Sequence, residues 1–85
     1  MQSLWDLKVD TQATVREISS ELENKYRQRL LDLGLVPEQK VTCVRQTPFG
    51  GPKVYQIGQS LFSFDREVCQ SIFIIPTKDE PVRGQ

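Results

Sequence analysis

No histidine occurs among the 85 residues of this chain. That removes the side chain most often used as a general base near neutral pH and as a nitrogen ligand for transition metals. Cysteine is nearly missing too. Cys43 and Cys69 stand alone in apolar stretches, without the close pairing of a zinc site, and read as small core residues of a reduced chain. No apolar run approaches the roughly 18 residues of a membrane span, and the opening M-Q-S-L-W-D-L-K has no signal-peptide core. An excess of charge of one sign is also lacking: 11 Lys and Arg balance 11 Asp and Glu, so no global basic field exists to draw in nucleic-acid phosphates. These absences argue against nucleic-acid binding and direct membrane insertion. They leave a cytoplasmic protein that meets a membrane, if at all, through a partner.

Catalysis is disfavoured on the same grounds. Glu21, Glu23 and Asp32 fall on a solvated helix face, and a transition-metal ion prefers mixed nitrogen and oxygen ligands that this chain supplies poorly. Gly50 and Gly51 lie between prolines, not ahead of Gly-Lys-Ser/Thr, so they form no phosphate-cradling loop. No catalytic residue, metal site or cofactor is expected.

What is present suits one small domain. Hydrophobic residues make up 38% and charged residues 26% of the chain, enough for a barrel or small sandwich but not for a deep pocket. Leu4 and Leu7, three apart, predict a helical turn laid over one end of the fold. Thr11–Ile18 alternates imperfectly and predicts a strand, with Ala13 and Val15 on one face and Ile18 opposite. Ser20 followed by Glu23 matches a capping box, which predicts a helix from Glu21. Leu22, Tyr26, Leu30 and Leu33 give that helix its apolar stripe, and Glu21/Lys25 and Glu23/Arg27 give it two ion pairs. Gly34 is placed to stop it, with Leu35 returning to Leu30.

Further strands are expected at 40–46, 53–57, 61–64 and 71–75, with a Pro48–Pro52 loop, a turn at 58–60 and a short helical turn capped by Asp65. The sum is mainly β with one inserted helix (α+β), a small SH3-like, partly open five-stranded barrel over residues 1–75. Residues 76–85, rich in proline and charge, are expected to be a flexible tail.

Against this background the chain resembles the FeoA-like domain family. The matching positions are Leu4-x-x-Leu7, Val15-x-x-Ile18, the block Arg29-Leu30-Leu31-Asp32-Leu33-Gly34-Leu35-Val36-Pro37, Val41, Pro48-x-Gly50-Gly51-Pro52, Gly58 and the strand at Ile72. The resemblance covers about residues 4–75. Where the family often has Pro-Gly, this chain has Val9-Asp10, and where it often has glycine after Pro37, this chain has Glu38.

What the resemblance implies is a cytosolic accessory protein of bacterial ferrous iron uptake that binds the FeoB transporter. Two alternatives stand beside it: a module acting in trans on a metal-dependent transcription regulator, and an SH3-like adaptor for peptides. The residues expected to meet a partner are Tyr26, Arg27 and Arg29 on the helix, Phe49 at the loop tip, and the cations Arg45, Lys53 and Arg66. Room is left for weak self-association.

Overall fold

The computed structural model describes residues 2–77. Six strands form one antiparallel sheet: β1 Gln2–Ser3, β2 Gln12–Ile18, β3 Lys40–Gln46, β4 Lys53–Ile57, β5 Ser60–Phe64 and β6 Ile72–Pro76, in the order β1-β6-β2-β3-β4-β5. Two helices, α1 Asn24–Asp32 and α2 Arg66–Gln70, complete the fold. The strand missing from the sequence reading is β1. It has only two residues, too few to show a period, and exists because Gln2 and Ser3 find Ile74 and Phe73 to pair with.

Two bulges bend the sheet. In β2, Val15 pairs with Ile74 and Glu17 with Phe73, so Arg16 is an extra residue. That one insertion resets the alternation. Ile18, expected on the face opposite Val15, lies across from buried Ile72 and packs against the core. In β3 the register slips between Cys43 and Arg45, which sets Gln46 opposite Lys53. The strand patterns were imperfect because the strands are bent.

The core gathers Leu4, Val15, Leu35, Val41, Tyr55 and Ile72, all essentially without exposure, together with both cysteines. Burial pushes the Cys43 thiol up, and burial likewise pushes Cys69 up to about 11. The Cys69 Sγ points at the Phe64 carbonyl, 3.7 Å away.

The helix starts later than its sequence suggests. Asn24 is its first residue and Glu23 its N-cap, without a side-chain cap bond. The preceding residues form a turn of their own: Ser19 Oγ accepts from the Glu21 N–H at 3.1 Å, and the Ser19 carbonyl accepts from Leu22 at 3.2 Å. Glu21 and Glu23 therefore precede the helix, and the expected four-apart ion pairs are not helical neighbours. Arg27 instead donates to the Ser19 carbonyl at 3.1 Å.

The C-terminal end is as the sequence predicts. Gly34 takes φ +105°, its N–H reaches the Leu31 carbonyl, and the Leu35 N–H reaches that of Leu30, both at 3.0 Å. Asp65 caps α2 by accepting from Val68 N–H at 3.3 Å.

At the far end, Pro76 still pairs with Ala13, and the Thr77 N–H donates to the Gln12 carbonyl at 3.1 Å. Order therefore extends past residue 75. The rest of the expected tail, 78–85, lies outside the described residues.

Candidate partner-binding surface

The Thr47–Pro52 segment is short, hydrogen-bonded across itself and turned outward. The Thr47 hydroxyl donates to the Pro52 carbonyl at 2.7 Å, and the Gly51 N–H to the Pro48 carbonyl at 3.2 Å. A side chain on Gly51 would sit 2.5 Å from Thr47 Oγ1, so glycine is what lets the hydroxyl bond across the loop. Between these braces Phe49 adopts φ +59°, ψ +33°, a left-handed conformation that costs an L-residue free energy, and its ring is fully exposed.

Arg66, from the start of α2, lies against the same loop. A Cβ on Gly50 would come within 2.7 Å of its guanidinium. The guanidinium carbon is also 5.1 Å from the centre of the Trp5 ring, and Lys53 Nζ is 5.0 Å from that centre. Gly50, Arg66 and Trp5 thus adjoin at one corner, with Phe49 exposed next to Gly50. Trp5 belongs to the N-terminal turn Leu4–Asp6, where a lone aromatic gives no periodic signal.

Lys53 is corrected outright. Expected on the partner face, it is 5% exposed and its ammonium bonds inward, to the Trp5 carbonyl at 2.8 Å and the Leu7 carbonyl at 2.9 Å. Tyr55, two residues on along the same face of β4, donates to the Leu4 carbonyl at 2.9 Å. Two β4 side chains therefore hold three carbonyls of the N-terminal turn, with Lys53 taking those of Trp5 and Leu7 and Tyr55 adding a second donor to that of Leu4. Lys53 thus holds the backbone that carries Trp5, with its ammonium turned inward.

Tyr26 and Arg29 lie elsewhere. With Leu33, Phe62, Phe64 and Val68 they line an apolar groove of about 380 Å³ between α1 and the β5 edge. Tyr26, expected in the buried stripe, is 48% exposed, with Lys25 Nζ 5.3 Å from its ring centre. Phe62 and Val68 were missed by sequence reasoning; Phe62 alternates with Phe64 along β5, a signal too short to separate a half-open groove from core. Arg27 is tied to Ser19, and Arg45 is exposed on β3 two residues ahead of the loop.

Of the seven expected residues, Arg66 lies against the loop that carries Phe49, Tyr26 and Arg29 share the groove, and Arg27 and Lys53 bond internally. Among the described residues no three His, Cys, Asp or Glu side chains converge on a point. The arrangement offers contact chemistry: a pre-set aromatic beside a cation, and an apolar groove.

The FeoA domain model matches residues 2–76. The chain is similar to the solution structure of FeoA from Chlorobium tepidum, with 28% identity, a TM-score of 0.83, and coverage of 94% of this chain and 74% of that one. It is also similar to the zinc-complexed Stenotrophomonas maltophilia FeoA, described as a prokaryotic SH3 domain protein, at 24% identity, TM-score 0.77 and coverage of 87% and 89%. A manganese-dependent transcriptional repressor shares the fold at 16% identity and TM-score 0.78; the likeness covers 89% of this chain and 41% of the repressor. A search of curated proteins found no significant match.

Proposed function

This chain belongs to the FeoA family, which implies an accessory role in ferrous iron transport, and on that premise we propose that it acts by binding the cytosolic part of a FeoB-type transporter. The observation that carries the reading is Phe49. A loop braced at both ends holds this aromatic fully exposed in a conformation that costs stability, beside Arg66. Strain kept at an exposed aromatic fits a binding anchor, and aromatic and arginine side chains dominate interface energetics.

The mode of action is preferential binding. An accessory protein shifts a transporter between states only by favouring one of them, and it needs no catalytic group of its own. Among the described residues no helix is long and apolar enough to cross a membrane, so recruitment to the membrane falls to the partner.

The test is binding of the purified chain to a FeoB-type transporter in nanodiscs. Phe49→Ala and Arg66→Glu should each weaken it about tenfold or more, the scale of an interface hot spot. Unchanged affinity in both variants would remove this corner from the interface. A second reading, action in trans on a metal-dependent regulator, draws on the repressor that shares this fold. It predicts binding to such a regulator and none to the transporter.

A further inference from the structure

The two outer edges of the sheet are built differently. β1 is two residues long, and a strand that short offers almost no ladder to a newcomer. β5, at the opposite edge, runs five residues with β4 as its one neighbour among the described residues. Proteins ordinarily guard such an edge with charge, proline or a bulge. Ser60-Leu61-Phe62-Ser63-Phe64 contains neither charge nor proline, and its register with β4 is unbroken from Ile57–Ser60 to Lys53–Phe64.

The hairpin closes through the two-residue turn Gly58-Gln59. The closing pair Ile57–Ser60 is then hydrogen-bonded, and so are Tyr55–Phe62 and Lys53–Phe64. Leu61 and Ser63, in the alternate pairs, turn their N–H and C=O groups to the open edge. Leu61 is 59% exposed.

The apolar groove beside α1 opens along this edge, and its lining includes Ser63. Arg29 is the one charged side chain lining it, and Lys25 stands one turn back on the same helix. The groove is apolar with a cationic rim.

The geometry points to β5 as a strand-addition site for an extended segment of another protein, aliphatic at alternate positions and carrying a carboxylate opposite Arg29. Such a segment pairs its main chain with Leu61 and Ser63 and sets every second side chain into the groove. Main-chain bonds then supply affinity, and the groove and Arg29 supply selectivity. A second copy of this chain fits worse. Its own β5 is flanked by its own α1, so two-fold pairing would bring two helices and two Arg29 guanidiniums against each other where one strand has room. The site is separate from the Phe49 corner and does not rest on the transporter reading.

The test uses the full chain, 15N-labelled, titrated with a blocked heptapeptide, Thr-Val-Thr-Asp-Thr-Val-Thr, whose aspartate shares a strand face with both valines, and with its counterpart bearing lysine for aspartate. The acidic peptide should shift the Leu61 and Ser63 amides and slow their hydrogen exchange. The lysine form should bind about two- to fivefold more weakly, as expected for one exposed ion pair, and Arg29→Glu should reverse that order. Ser63→Pro, which removes an outward donor that the fold does not use, should abolish binding. Arg29→Glu, on the exposed helix face, keeps the test decisive if the proline variant unfolds. The proposal is overturned by no shift at millimolar peptide or by shifts confined to the Phe49 loop. It is equally overturned if the two amides are protected without peptide while sedimentation shows mass rising with concentration, which assigns the edge to a second copy.

Discussion

Among the described residues, three other than glycine occupy the left-handed region: Asp10 at φ +67°, Glu38 at +77° and Phe49 at +59°. Asp10 and Glu38 fall at positions where the FeoA pattern that this chain resembles often has glycine, the residue best suited to this region. Asp tolerates this region through local hydrogen bonding; glutamate does not. Glu38 is held there because its N–H donates to the Val15 carbonyl at 2.8 Å, hanging the turn on β2. Glu38→Gly keeps that bond and removes the strain. It should stabilise the fold by about 1 kcal/mol and raise the melting temperature by roughly 4–8 °C in a circular dichroism melt. A lower melting temperature would show that the strain is relieved some other way.

The buried acids make a second prediction at this scale. Burial raises Cys69 from 9.0 to about 11 and raises Cys43 and Tyr55 as well. Such groups keep their protons when folded and release them when unfolded. The unfolded chain then binds fewer protons, so stability falls as pH rises through the window above about 9, by up to about 1.4 kcal/mol per pH unit per group. Urea midpoints should hold from pH 7 to 8 and drop between pH 9 and 10. A flat profile to pH 10.5 would contradict the burial of these groups.

At the scale of elements, α1 shows how local and tertiary signals divide. Its C-terminal stop is written in Leu30, Gly34 and Leu35, because the capping bonds run between residues at most five apart. Its start is not where Ser20 and Glu23 place it, since Ser19 captures the Glu21 N–H first and Leu22 is drawn towards the core. The N-terminal turn depends on distant residues altogether. Lys53 and Tyr55 hold it across 46 to 51 residues of sequence, and a lysine in a strand carries no sign of that duty. Lys53→Met keeps the stem and removes the ammonium, leaving two carbonyls without their charged donor. It should cost about 2 kcal/mol and speed amide exchange at Leu7, whose N–H closes the turn on Leu4. If exchange there is unchanged, the turn is held by apolar packing alone.

At the scale of the whole molecule, the sheet separates two surfaces that a chain of 85 residues might have merged. α2 stands between them, with Arg66 against the Phe49 loop and Val68 lining the groove. Substitutions on the two should therefore act independently. Phe49→Ala is expected to weaken the transporter complex without changing heptapeptide affinity, Ser63→Pro to do the reverse, and the double variant to show both losses at single-variant size. Coupling between them in binding titrations would mean that the two surfaces form one interface. The family was legible as a resemblance of motifs, chiefly Arg29–Pro37 and Pro48–Pro52, while strand patterning, the helix stop and the apolar settings of the cysteines were sufficient by themselves for the mainly β class and the burial of Cys43 and Cys69, because those features rest on short-range geometry and on which side chains avoid water. The bulges at Arg16 and Val44, the inward turn of Lys53, the exposure of Tyr26 and the open β5 edge were decided only in the folded chain. Each depends on which strand lies opposite, and pairing between residues far apart in sequence leaves no local period to read.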